Sequence, residues 1–311
     1  MLQNLPLFPD SASSFAGQVD GIYLFGVAVS LFFSALIAVL VLVLAIKYRR
    51  RRADQIGSDE HPPDILEIVW SVVPLGILTV MFFWGARVFF TVRTTPPGAV
   101  EYTAVAKRWM WKFQHPSGNR EINELHVPVG QTVVMKMTSE DVIHDFFVPA
   151  FRTKYDVIPG RYTSVWFKAT KPGEYHLFCA EYCGAEHSRM VGRVVVMEPS
   201  EYQAWLTHGN AGQAPAASGG ELFGTLACNT CHKSDSAARA PKLENAYGTD
   251  VALLGGATAK FDDDYIRESI LNPQAKVVAG YQPIMPTFKG QISEDQLMQL
   301  ITYVKSLSPK K

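Results

Sequence analysis

The chain has 311 residues, with 29 Lys plus Arg against 29 Asp plus Glu and a sequence pI near 7.1. That length suggests two or three folded parts, and so even a charge balance argues against the basic surface that nucleic acid requires, so no nucleic-acid partner is expected. Apolar residues make up 48% of the chain, an ordinary share, but they concentrate in two runs near the N-terminus.

The first run, "YLFGVAVSLFFSALIAVLVLVLAI" at 23–46, holds no charge. As a helix it would extend about 36 Å, enough to cross a bilayer core. The second, "ILEIVWSVVPLGILTVMFFWGARVFF" at 65–90, carries Glu67 near its start and Arg87 near its end. Two membrane spans are predicted, at about 22–47 and 66–90. A signal peptide fits poorly, because Asp10 and Asp20 but no Lys or Arg precede the first run, which is also long for a signal sequence. With no cysteine near the N-terminus, a lipoprotein anchor is not expected either. The loop between the runs, "KYRRRRADQIGSDEHPPD", sets Lys47 and Arg49 to Arg52 at the membrane edge. Positive charge stays on the cytoplasmic side. Both termini are therefore expected on the outer face of a bacterial cell (inner) membrane, with lipid around the hairpin. An ionisable group such as Glu67 at the inner end of a span is a functional candidate, with snorkelling as the plain alternative.

From 99 to 198 the pattern becomes short β-prone segments, among them "AVEYTAVAK", "RWMWKFQ", "TVVMKMTS", "DVIHDFFVP" and "GRVVVME", punctuated by Pro and Gly. Such spacing predicts an all-β sandwich or barrel. Trp109 and Trp111 alternate in "RWMWKF", where an aromatic core is the plain reading. The stretch "HLFCAEYCGAEHSRM" holds Cys179, Cys183, His187 and Met190, and His144 lies upstream in "VIHDFF". Two cysteines four apart could form a disulfide in an oxidising compartment. The neighbouring imidazoles and thioether argue for a metal instead. Two thiolates, two imidazoles and a Met suit copper on a β scaffold, whereas zinc has no use for the Met. Two bridging thiolates can hold two coppers close enough to share one electron. A short helical piece, "SEYQAWLTH", closes this part.

The segment 209–220, "GNAGQAPAASGG", has no large apolar residue and reads as a flexible linker. Residues 221–311 then form a compact domain. "CNTCH" at 228–232 is the haem c attachment pattern, with Cys228 and Cys231 as the thioether positions and His232 under the iron. A thioredoxin-like pair would not need the His, and a zinc site lacks further cysteines. Met285 in "YQPIMPTFKG" is the expected sixth ligand. Met298, on the terminal helix, reads as packing. Met/His ligation raises a c-type haem potential. In "SEDQLMQLITYVKSL", Ser293 and Gln296 have capping-box spacing, and Leu297, Leu300, Ile301 and Val304 share one face.

"CAEYCGAEHSRM", with "DVIHDFFVP" and "DVIPGR", resembles the binuclear copper A signature in subunit II of haem–copper cytochrome c oxidases, over 21–208. "GGELFGTLACNTCH" and "APKLENAYG" resemble class I cytochrome c, over 221–307. The resemblance implies a multi-domain membrane protein. Residues 1–95 would form the N-terminal segment and a two-helix transmembrane hairpin, 96–208 an all-β cupredoxin-like copper A barrel, 209–220 a linker and 221–311 an all-α cytochrome c domain. It implies that Cys179 and Cys183 bridge two coppers, that His144 and His187 cap one each, that Met190 is a weak axial ligand, and that Glu181 offers its carbonyl. The Glu181 carboxylate would join a Mg site shared with subunit I. Trp109, in preference to Trp111, would accept electrons over the copper, and Glu67 would stand at the mouth of a proton path. The implied function is subunit II of a proton-pumping cytochrome c oxidase, taking electrons through covalent haem c to copper A and on to subunit I, where oxygen is reduced. Its partners would be subunit I, subunit III and an outside donor, either a cytochrome c or a quinol–cytochrome c reductase. A copper A subunit of a nitric oxide reductase and a membrane-tethered electron carrier are the alternatives. Quinol oxidase subunits share the fold but lack the copper ligands.

Overall fold

The computed structural model describes residues 9–57, 63–208, 215–232 and 239–308. Residues 58–62 of the loop between the spans, and 209–214, the first half of the expected linker, lie outside the described residues. The chain divides into two compact units, Ser13–Thr94 and the remainder.

The first unit is a pair of helices, α1 (Ala16–Lys47) and α2 (Asp64–Arg93), each several residues longer than its predicted span. Apolar side chains dominate both, so little competes with the backbone ladder for hydrogen bonds. Both are long and apolar enough to cross a membrane, with mean hydropathy 3.0 and 2.1. Glycines sit where the helices approach. A Cβ on Gly21 would meet the Trp84 ring at 3.3 Å, and one on Gly85 would meet Ile22 at 3.3 Å. Small residues let spans pack this closely. Asp64 and Glu67 occupy the first turn of α2, where a helix dipole favours acids.

The second unit begins with a barrel-like sandwich. Its strands are β1 (Val100–Lys107), β2 (Met110–Gln114), β3 (Arg120–Ile122), β4 (Glu124–Pro128), β5 (Thr132–Ser139), β6 (His144–Val148), β7 (Thr153–Val157), β8 (Thr163–Lys168), β9 (Gly173–Cys179) and β10 (Val191–Met197). They form two five-stranded sheets, ordered β3-β2-β1-β5-β8 and β4-β10-β9-β6-β7. Period-two alternation fills the space between them. Val133, Met135 and Met137 of β5 point inward with Trp111, Phe113, Phe146 and Leu177, while Lys136 between them points outward. At one end, β6 and β10 begin and β9 stops. At the other, α3 (Pro199–His208) packs, with Tyr202 Oη 2.9 Å from Tyr102 Oη and 2.9 Å from His115 Nδ1.

The rest of this unit is mainly helical: α4 (Pro215–Thr225), α5 (Asp263–Leu271) and α6 (Glu294–Ser306), with one small hairpin of β11 (Asp250–Ala252) and β12 (Thr258–Lys260). The expected linker ends sooner than its composition suggests, because α4 already starts at Pro215. Pro is well placed at a helix start. The glycines that looked like linker residues are a helix crossing. A Cβ on Gly219 would come within 2.1 Å of the Gln299 carbonyl oxygen, and one on Gly220 within 3.2 Å of the Tyr303 ring. The capping box at α6 forms as its spacing predicts. Ser293 Oγ accepts from the Gln296 amide at 3.3 Å, and Gln296 Oε1 accepts from the Ser293 amide at 2.9 Å.

Candidate functional site

The barrel end where β6 starts gathers a sulfur-rich cluster. β6 presents His144 at its first residue and β9 presents Cys179 at its last, and the pairing of Phe146 with Cys179 fixes their register. The loop that follows returns Cys183, His187 and Met190 before β10. Cys179 Sγ lies 3.8 Å from Cys183 Sγ and 3.8 Å from His144 Nδ1. Cys183 Sγ lies 3.5 Å from His187 Nδ1 and 3.8 Å from Met190 Sδ. The Glu181 carbonyl oxygen is 3.2 Å from Cys179 Sγ, while its side chain is exposed. Both thiols are free, and His144, Cys179, Cys183 and Met190 are buried. Two unbonded sulfurs at this separation, flanked by two imidazoles and a thioether, suit a soft metal pair. The loop needs Gly184 at φ +123°, a conformation other residues resist, and a Cβ there would meet the Trp109 ring at 3.5 Å.

Sequence reasoning overlooked Asp141. His144 Nε2 donates to Asp141 Oδ1 at 2.9 Å, which leaves Nδ1 facing the sulfurs. Carboxylates commonly fix the tautomer of ligating imidazoles in this way. Asp141 also accepts from the Arg108 amide at 2.9 Å and the Val142 amide at 2.7 Å. Burial alone would raise its pKa, but these hydrogen bonds, His144 foremost, hold it below the usual carboxylate range. The available signal was the three-residue spacing in "DVIH". The thiols split. Burial opposes charge on Cys179, yet hydrogen bonds from His144 and nearby amides bring it down to about 7. Burial and then the Cys179 charge push Cys183 up to about 12. A bound cation would supply the charge that both thiolates need.

Among the described residues a second metal-like group, Glu121, Glu124 and His126, is already satisfied. Glu121 accepts from both His115 and His126 at 2.5 Å, and Glu124 pairs with Arg193 at 2.7 Å.

The cytochrome-like part holds an apolar cavity lined by Phe223, Leu300, Val304, Cys228, Cys231, His232 and Met285, among others. Cys228 and Cys231 sit on a short 3-10 turn just after α4. His232 Nδ1 donates to the Pro241 carbonyl at 2.8 Å, so Nε2 is the nitrogen left for iron. Burial lowers the His232 pKa, which keeps the imidazole neutral and able to ligate. Two free thiols, a tautomer-fixed His and a Met on one apolar cavity fit a covalent haem. Met298 is buried on α6 and is not among the lining residues.

The structure brings together the five side chains of the copper set and, separately, the four of the haem set. Trp111 is fully buried, with its ring centroid 6.2 Å from that of His144, whereas Trp109 is half-buried beside the loop. Glu67 lies in the other unit, in the first turn of α2.

A family model described as "Cytochrome C oxidase subunit II, periplasmic domain" matches residues 119–198, and one described as "Cytochrome c" matches 216–308. Cytochrome c oxidase subunit 2 of Alkalihalophilus pseudofirmus is 29% identical over 285 residues, covering 87% of this chain and 81% of that one. The protein of the same name from a Synechocystis species is 28% identical, covering 69% and 78%. Among solved structures, the periplasmic domain of subunit II of cytochrome oxidase from Bradyrhizobium japonicum is 32% identical, covering 37% of this chain and 96% of that one, with a TM-score of 0.36.

Proposed function

Since this chain belongs to the subunit II family of cytochrome c oxidases and ends in a cytochrome c domain, we propose that it relays electrons from an outside donor, through its own haem domain and then a two-copper centre, to the oxygen-reducing subunit I of a proton-pumping oxidase. The observation that carries this reading is the buried set of two thiols, two imidazoles and a thioether, on the same chain as a C-x-x-C-H cavity containing Met285. When bound, the coppers and the haem iron would each supply reversible one-electron chemistry.

The chain's own residues divide the work. Cys179, Cys183, His144, His187, Met190 and the Glu181 carbonyl would hold the two coppers. Asp141 keeps the proton on His144 Nε2 and holds the ring in place. The rigid sheets limit how far these ligands can move, which favours fast electron exchange. Cys228 and Cys231 would tether the haem as thioethers, and His232 and Met285 would hold its iron. Trp109, near Gly184 at the edge of the copper loop, would accept the incoming electrons. The exposed Glu181 carboxylate would reach a Mg ion shared with subunit I, and Glu67 would open a proton path from the cytoplasmic side. The domain limits in this reading are 1–95, 96–208 and a haem domain starting at Pro215. The arginines after α1 would keep the hairpin loop in the cytoplasm and both termini outside. Subunit III and a cytochrome c, or a quinol–cytochrome c reductase, complete the set of partners.

Purification from solubilised membranes tests this reading. The chain should travel with a large multi-span haem–copper subunit and contain one covalent haem. A chain that purifies without such a partner, or that holds zinc and a Cys179–Cys183 disulfide, contradicts it.

A further inference from the structure

The outer face of the β1-β5-β8 sheet is where the haem domain sits. Lys136, on the outward side of β5, is only 7% exposed. Lysines are rarely buried so far unless paired. Its Nζ lies 2.5 Å from Asp263 Oδ2, in the first turn of α5, and 4.3 Å from the Tyr162 ring centroid. On the same ring the Arg267 guanidinium sits 5.2 Å from the centroid and donates to Tyr162 Oη at 3.3 Å. Arg267 is held by a two-pronged pair with Glu294, at 2.6 Å on each prong. The Tyr162 amide donates to Asp264 Oδ1 at 3.3 Å. Lys305 near the end of α6 reaches Glu101 at 3.3 Å and Asp263 at 3.6 Å. Lys112 lies 3.7 Å from Asp295 at the start of α6. One tyrosine of the barrel is thus gripped by a cation from each domain, inside a ring of ion pairs.

This seat does not bring the two redox sites face to face. Among the described residues, the haem cavity is lined only by residues of the haem domain itself. The α6 residues Leu300 and Val304 face that cavity, while Asp295 and Lys305 of the same helix meet the barrel. None of the pairs above touches the copper loop, where Tyr182 is 76% exposed. Six residues separate α3 from α4.

Resting on the electron-transfer reading, we propose that this seat is a resting dock: an ionic latch around Tyr162, Lys136 and Asp263 parks the haem domain on the outer face of the sheet, off the copper loop, and the domain lifts off to deliver its electron. The Lys136 and Lys305 charges hold the Asp263 carboxyl below its usual range despite burial, consistent with a formed ion pair. Partly buried ion pairs still weaken with salt at their rims, so the latch opens as ionic strength rises.

The test uses the full chain in its oxidase. A water-soluble carbodiimide at low salt should join Lys136 to Asp263 through an amide, identified by mass spectrometry, and yield should fall as salt rises. Lys136→Gln supplies the control, losing that cross-link alone. In the cross-linked chain, flash-induced electron transfer from haem to copper should slow at least tenfold against the cross-linked control. Separately, Tyr162→Ala should raise amide exchange on β5 and β8 several-fold. Failure to form the Lys136–Asp263 amide, exchange unchanged in Tyr162→Ala, or undiminished transfer in the locked chain would each overturn the dock. Absorption spectra of both centres, recorded first, judge the electron-transfer reading on its own: their absence counts against that reading, while the cross-link and exchange still decide the latch.

Discussion

The copper loop and the haem cavity are built on opposite principles. The proposed copper ligands lie at strand ends and in the loop between β9 and β10. His144 opens β6, Cys179 closes β9 and Met190 directly precedes β10, and those three with Cys183 are buried. The proposed haem-binding residues sit at a 3-10 turn and in a proline-flanked loop, and Cys228, Cys231, His232 and Met285 all stay partly exposed. The core beside the cavity is small, with six buried residues including Phe261, Ile266 and Leu297. Small cores depend on added staples. The barrel positions its cofactor, whereas the haem domain needs its cofactor to complete a core.

The largest expected effect follows from this contrast. Stripped of copper, the barrel should still melt in one cooperative transition. The same chain made without haem should lose the haem domain's transition in calorimetry. Two cooperative transitions in the haem-free chain would break the comparison.

Within the haem domain, Met285→Leu should leave the haem attached but remove its sixth ligand. The absorption spectrum should turn high-spin and the reduction potential should fall. Met298→Leu, on α6 and away from the cavity, should do neither.

Gly219→Ala sharpens the comparison from the packing side. Its Cβ would sit 2.1 Å from a backbone oxygen of α6, so the helices must separate. The haem domain should lose about 3 kcal/mol, at the upper end of overpacking costs, while the barrel's melting temperature stays put. A shift in the barrel instead would show that the two parts do not melt independently.

Asp141→Asn probes the barrel's positioning of its own ligand. An amide at this place can present its NH2 to His144 Nε2 and disturb the tautomer. Copper affinity, measured by chelator competition, should drop roughly 10- to 100-fold, with the fold unchanged by circular dichroism. An unaltered affinity would mean that the strands alone orient His144.

Much of this was legible in the sequence because the chemistry is local. The C-x3-C-x3-H-x2-M and C-x-x-C-H spacings place their ligands within a single loop or turn, so the motif largely carries the site. The hairpin was legible because a bilayer demands long uninterrupted apolar runs. Three features were hidden. Asp141 looked like an ordinary solvated acid, since only the fold at β6 turns its carboxylate toward His144. Gly219 and Gly220 carried a linker composition, because close helix crossing and flexibility call for the same small residues. Lys136 and Tyr162 are more than a hundred residues from Asp263 and Arg267, and no local pattern joins them.

On this reading one chain holds both a two-copper, two-thiolate centre and a covalent haem. The most direct test is electron paramagnetic resonance of the purified chain with quantified copper. Two coppers per chain should give a mixed-valence signal in which one unpaired electron couples to both nuclei, and Cys183→Ala should abolish it while the haem absorption remains. A single-copper signal, or a shared-electron signal that survives Cys183→Ala, would contradict the claim.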